Sequence, residues 1–298
     1  MPQLRAADVL HFKQGKKLQG RIEQITAERI SLRLSVNLGR GRQGQVLRSF
    51  FLKDIEYIDF EVSAEQAALL KQGKAGKLKD WQELWNRKVA FLGQARSNTG
   101  ELGLVYAQVL LQKDSVYHWV QALELYDLLL AKAWDVKVRG KARIGRVRVL
   151  VRQGDMRQAN EAALAMESSS GSEELVATAQ LLLAQIALIE LRSLQNKHPR
   201  WQQDEEVLPE RQRLYHLAID YCLKPFLFHS EQRVLAAQGL MAAAELYDFV
   251  ADDFGKQAVL EDVVEIYPDS VDAKLAREKL QLLQKKMKGK NDGQNKNE

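Results

Sequence analysis

Cysteine is nearly missing: Cys222, in the apolar context AIDYCLKPF, is the single one in 298 residues. No intramolecular disulfide can form, no cysteine-based metal site is available, and the residue reads as a small buried hydrophobe. Histidine is scarce as well. His11, His118, His198, His216 and His229 fall into no HExxH or HxH spacing, so neither a metal nor a cofactor is assigned. There is no Ser-His-Asp order, nucleophile elbow or phosphate loop, and no catalytic residues are assigned. Long apolar runs are missing too. The best stretch, 181–191, is broken by Gln185 and Glu190, short of the roughly 20 residues a membrane span needs, so no transmembrane span is expected. The N-terminal MPQLRAAD has no apolar signal core. Residues 4–8 would nevertheless pass for the tail of a cleaved export signal, which would place the chain in the envelope; otherwise it is cytoplasmic.

What is present is ordinary folding material, 46% hydrophobic and 28% charged, enough for one large or two modest domains. Lys+Arg 44 against Asp+Glu 39 leaves a net charge of +5. So mild an excess admits nucleic acid or an acidic partner without requiring either.

The first 60 residues differ from the rest. Residues 9–12, 18–25, 30–36, 46–52 and 55–60 read as strands. The clearest is Ile30, Leu32, Leu34 and Val36 alternating with Ser31, Arg33 and Ser35. In the second, Leu18, Gly20, Ile22 and Gln24 share a side; in the last, Ile55, Tyr57 and Asp59 oppose Glu56, Ile58 and Phe60. So many short strands in so short a span predict a small closed barrel, because closure removes exposed edges. Arg33, Arg40, Arg42 and Arg48 give it a basic face, solvated or used for contact. Gly39-x-Gly41-x-x-Gly44 matches a dinucleotide-binding string but lies between two strands, so that reading fails on context.

Ser63-Ala64-Glu65-Gln66 is a capping box, Ser63 capping and Gln66 reaching back. Gly73 and Gly76 then loosen the chain before the helical remainder. Trp81 and Trp85 share a helix face with Val89 and Leu92, a core pattern rather than a ligand cage. Helices are expected over 104–112, 118–133, 138–152, 156–166, 172–194, 210–223, 231–250, 256–267 and 271–287. Pro225 should stop the sixth, and 288–298 is polar and expected to be disordered. The segment 141–166 reads as an αα-hairpin turning at Gly154-Asp155, with Ala142, Gly145, Ala159, Ala162 and Ala163 where the helices would touch. Such a unit cannot bury its apolar face alone and implies neighbours on either side. The acid pairs Asp252-Asp253 and Glu261-Asp262 are adjacent in sequence and face no common point, so they read as solvated surface.

Two resemblances follow. The opening "apolar-x-apolar, Gln14-Gly15-Lys16, x-Leu18-x-Gly20-x-Ile22" resembles the first hairpin of SH3-like and Sm-like small barrels. Sm-like RNA binders carry an Asp and an Asn after the second strand and an Arg-Gly pair near the end. Here those places hold Thr26-Ala27-Glu28-Arg29 and Leu52-Lys53-Asp54, which supports the fold and weakens RNA binding. Over residues 100–285 the chain resembles tetratricopeptide (TPR) repeats. Ala244 and Tyr247 match the small and aromatic positions of a first helix, and Pro268 closes a second helix. Gly154 is a turn glycine, Val147 and Leu150 fall at small and aromatic positions, and Ala159 falls at the second-helix alanine. Arg143 and Arg146 stand where the family has apolar residues, and 80–112 and 172–223 hold no strict period. The Tyr267-Pro268-Asp269-Ser270 style resembles envelope members of the family and tilts the location that way.

The expected fold is therefore α+β and multidomain: a small barrel over 1–62, a helical linker over 63–80, a TPR-like all-α solenoid over 81–287 and a disordered tail over 288–298. The resemblance implies a concave groove lined by first helices. Lys137, Arg139, Lys141, Arg143, Arg146, Arg148 and Arg152 form an acid-free run. Helical spacing puts Arg139, Arg143 and Arg146 on one face and Lys141, Arg148 and Arg152 on the opposite one. By the repeat register the second set enters the groove, making Lys141, Arg148 and Arg152 the candidate partner-binding residues for a protein or acidic peptide segment. The alternatives are pairing with Asp127, Asp135 or Glu161, and nucleic-acid binding through the barrel and this helix.

Overall fold

The computed structural model describes residues 7–39, 42–169 and 172–294. Arg40 and Gly41 of the candidate basic turn lie outside these, as do Ser170 and Gly171. The chain divides into two compact units, Met1–Gln153 and Gly154–Glu298.

The first unit begins with β1 (Asp8–Phe12), β2 (Lys17–Ile25), β3 (Arg29–Asn37), β4 (Gln43–Phe51) and β5 (Ile55–Asp59). They form one antiparallel sheet in the order β4-β3-β2-β1-β5. The sheet is open, with β4 and β5 as its edges, where closure was expected. β2 pairs with β1 through Lys17–Gly20 and with β3 from Arg21 onward, so it turns the corner of the sheet at Gly20. There the backbone passes so close to β3 that a Cβ would lie 2.5 Å from the Arg33 carbonyl oxygen, which glycine alone avoids.

Bulges correct two alternations read from the sequence. The β2–β3 register shifts between Ile22 and Gln24, so Ile25 rather than Gln24 packs toward the core. The β1–β5 register skips Glu56, pairing His11 with Tyr57 and Phe12 with Ile55. Ile55 and Ile58 thereby both enter the core, at 8% and 4% exposure. Leu10, Ile30 and Leu32 are fully enclosed there, and Phe91 from the helical segment closes it.

α1 (Ala64–Gln72) starts where Ser63 accepts the Gln66 N–H at 3.1 Å. The Gln66 side chain does not reach back; it is buried, and neither its oxygen nor its nitrogen has a partner among the described residues. α1 is part of the core rather than a linker, since Leu69 packs with Trp81, Leu84 and Trp85 of α2 (Leu78–Lys88). α3 (Thr99–Leu111), α4 (Val116–Lys132) and α5 (Val136–Gln153) complete the unit, and α5 packs on both α3 and α4.

In the second unit, Gly154 at φ +80° precedes Asp155, which caps α6 (Met156–Glu167) by accepting the Gln158 N–H at 3.0 Å. Then come α7 (Glu173–Lys197), α8 (Val207–Phe228), α9 (Arg233–Phe249), α10 (Asp253–Ile266) and α11 (Val271–Gln294). Each helix packs on the next, and α9 also touches α7 and α11. Pro225 lies inside α8 instead of ending it. It forfeits the bond its N–H would make to the turn before, yet the helix runs on to Phe228 and the Pro225 carbonyl accepts the His229 N–H at 3.1 Å. α11 continues to Gln294, past the expected end at Met287. Among the described residues α7 alone has the length and apolarity to cross a membrane, and 56% of that stretch is buried inside the fold.

Candidate functional site

α5 is rich in valine and arginine and owes its helical state to packing rather than propensity. Val138, Ala142 and Val149 are buried in the core shared by α3 and α4. Two glycines permit that approach. A Cβ on Gly145 would run into the Tyr126 ring, and one on Gly100 would lie 2.9 Å from a Val138 methyl. The small residues of the expected hairpin thus divide: Ala142 and Gly145 serve the packing of α3–α5, while Ala159 and Ala163 are buried in the second unit. Burying this stripe puts the two basic edges of α5 on opposite sides, as helical spacing predicts: Lys141, Arg148 and Arg152 are exposed, whereas Arg139 and Arg146 are half-buried.

The edges differ in their partners. Arg146 Nε donates to Asp127 Oδ1 at 2.8 Å. Arg139 donates to the Ala133 and Trp134 carbonyls, the free acceptors just past the end of α4. That edge is structural, Arg143 apart. On the other edge Lys141 and Arg148 are exposed and have no ion-pair partner among the described residues. Arg152 lies 3.9 Å from Asp114, whose side chain is 91% exposed, and its guanidinium stands 5.2 Å from the Trp119 ring centre. Trp119 is itself held by its N–H to the Lys113 carbonyl at 2.8 Å. A contact this exposed is worth well under about 1 kcal/mol, so Arg152 is readily drawn to a stronger anion. Arg148 spaces the row, about 10 Å from Lys141 and about 6 Å from Arg152 along the axis. Lys137, one turn before Lys141, is exposed and extends it. Beyond Arg152 the first turns of α4 expose Val116, Tyr117 and Val120, so the basic row ends beside an apolar patch.

Of the acids expected to neutralise the run, Asp127 does so through Arg146. Asp135 accepts the Lys137 backbone N–H, and Glu161 pairs with Arg157 of its own helix. The basic face expected on the sheet does not form as one surface. Arg33 is opposite Leu47 and Leu32 opposite Arg48, and directly paired residues share a face, so Arg33 and Arg48 point to opposite sides. Asp252 caps α10 through the Gly255 N–H at 2.8 Å, and Asp253 meets Lys286 at 2.7 Å, structural uses of both acids.

One cluster in the first unit went unread in the sequence. His11 stacks on Tyr57 at 4.0 Å between centroids, and Arg96 covers the Tyr57 ring at 3.9 Å. Asp59 bridges the two, 2.9 Å from His11 Nε2 and 3.6 Å from Arg96. Arg96 holds φ at +65°, a left-handed backbone uncommon for its type. The cluster ties β1 and β5 to the turn before α3. Nothing in sequence links residues 11, 57, 59 and 96. In the second unit an open recess of about 610 Å³ is lined by His198, Asp204 and neighbouring loop residues, with no serine, threonine or cysteine among them to act as nucleophile. No family model matches the chain, and no curated protein matches it.

Proposed function

We propose that this protein is a non-enzymatic scaffold that binds an acidic protein segment along the exposed edge of α5, through Lys141, Arg148 and Arg152. The observation that carries the reading is the inequality of the two edges. One is spent on Asp127 and on carbonyls past the end of α4, while Lys141 and Arg148 have no ion-pair partner among the described residues, on a helix locked in place by α3 and α4. A helix held in place presents these cations at fixed spacing, so binding a carboxylate orders side chains without ordering backbone. The apolar Val116, Tyr117 and Val120 at the end of the row supply the kind of anchor a protein partner uses.

The wider architecture is consistent with this role. Contacts of α3 with α5, and of α9 with α7 and α11, are those of alternate helices stacked in one layer, which favours a TPR-like solenoid. Strand order β4-β3-β2-β1-β5 with a bent β2 favours an SH3-like half-barrel. A second reading, nucleic-acid binding, is favoured by the absence of any acid in α5. Affinity capture with and without nuclease separates the two. Recovery of a protein partner that survives nuclease, and is lost on reversing the charge of Lys141, Arg148 and Arg152, supports the scaffold. Recovery of nucleic acid alone supports the second reading.

A further inference from the structure

The β3–β4 hairpin lies far from α5 in sequence and has its own signature. From Arg29 to Lys53 the chain holds Arg29, Arg33, Arg40, Arg42, Arg48 and Lys53 and not one acid. Its second strand is an edge, hydrogen-bonded to β3 alone among the described strands. An edge strand presents a row of backbone N–H and C=O groups without a β partner, and proteins usually blunt it with bulges, proline, lysine or a covering element. Of such protections β4 carries one charged side chain, Arg48. Its nine residues pair with β3 in unbroken register, unlike the bulged β2–β3 and β1–β5 pairs. It contains no proline and no lysine, and it exposes Val46 at 37%, Leu47 at 58% and Phe51 at 41%.

The register fixes the charge on either side. One face carries Arg29 and Arg33 behind Phe51, Ser49 and Leu47. Arg29 lies 4.3 Å over the Phe51 ring and donates to the Ser49 hydroxyl at 3.1 Å, while the Lys53 ammonium stands 5.3 Å from the same ring. Glu23 is the acid on this face, and it is engaged by Arg33 at 2.8 Å and Arg21 at 3.8 Å. The opposite face carries Arg48, exposed beside Val46.

We propose that the free edge of β4 accepts an extended acidic peptide as an additional strand. Backbone pairing to β4 supplies the affinity, and carboxylates on alternate residues, which share one face of the added strand, meet Arg29 and Lys53 while the apolar residues between them lie on the side of Val46. This surface is separate from the α5 row and does not depend on it.

The test uses the full chain and a fluorescein-labelled peptide of alternating glutamate and valine, read by anisotropy. Three comparisons accompany it: the same peptide N-methylated throughout, which keeps charge and side chains but cannot pair as a strand; a lysine–valine peptide; and a short oligothymidylate. The expected result is that the glutamate–valine peptide binds at least about tenfold more tightly than the methylated and lysine forms. Binding should weaken about tenfold in Arg29→Glu/Lys53→Glu, with the thermal midpoint unchanged, and should be unaffected by Lys141→Glu/Arg148→Glu/Arg152→Glu. Equal binding of the methylated peptide, tighter binding of oligothymidylate, or no binding at about 1 mM peptide overturns the proposal.

Discussion

Gly145 and the Tyr126 ring occupy one another's space so closely that no side chain fits at position 145. This contact sets the distance of α5 from α4 and, through it, the placement of the basic row. Gly140, one and a half turns earlier on the same helix, has nothing within 4 Å of where its Cβ would be.

The two glycines should therefore respond in opposite directions. Gly145→Ala should destabilise the protein by about 1–3 kcal/mol through overpacking. Gly140→Ala should stabilise it by up to about 1 kcal/mol through helix propensity. Urea unfolding of both variants checks this, and a neutral Gly145→Ala would mean that α4 and α5 are further apart.

Arg96 makes a second pair of opposed predictions. Both Arg96→Ala and Arg96→Gly lose the Tyr57 stack and the Asp59 pair. Only glycine relaxes the left-handed backbone at φ +65°. Arg96→Gly should be more stable than Arg96→Ala by about 1 kcal/mol, measured by the same unfolding titration. Equal stabilities would contradict that backbone geometry.

Alkali should unfold the chain more readily than its composition implies. Burial pushes the Tyr126 hydroxyl from its ordinary 10.0 to about 12, against a smaller opposing effect of Arg148. Burial likewise pushes the Cys222 thiol from 9.0 to about 12, with Glu245 adding to the rise. Between the ordinary and the raised values the unfolded chain has lost protons that the folded chain keeps. Stability is thus intact below about pH 9 and falls from there to about pH 12. For Tyr126 alone the loss is roughly 3 kcal/mol by the top of that window. Thermal midpoints taken from pH 8 to 11 should decline steeply above pH 9, and native Cys222 should resist iodoacetamide until the chain unfolds.

The strands, the Gly154-Asp155 turn and most helices were legible in the sequence because hydrophobic period and local capping encode them. Ile30, Leu32 and Leu34 all lie inward as their alternation says. What was illegible depended on pairing across the chain. The bulges at Glu23 and Glu56 arise from strand register, and they moved Ile25 and Ile58 to the core side. Pro225 is itself buried on the packed side of α8, so tertiary packing rather than the local proline rule decides where that helix ends. Arg33 and Arg48 read as one basic face in the sequence, and register puts them on opposite sides. The two edges of α5 followed from helical spacing, but which edge would be neutralised depended on Asp127 and on the end of α4, both folded against it. His11, Tyr57, Asp59 and Arg96 were unreadable because they converge from three segments with no shared motif.

The central claim is that one edge of α5, and not the other, receives a protein partner. It is tested most directly by placing a photocrosslinking amino acid at position 148 and, separately, at position 143 on the opposite edge, then irradiating each protein in nuclease-treated native lysate. A discrete protein adduct is expected from position 148, suppressed when Lys141 and Arg152 are changed to glutamate, and none from position 143. Equal adducts from both positions, or none from 148, would contradict it.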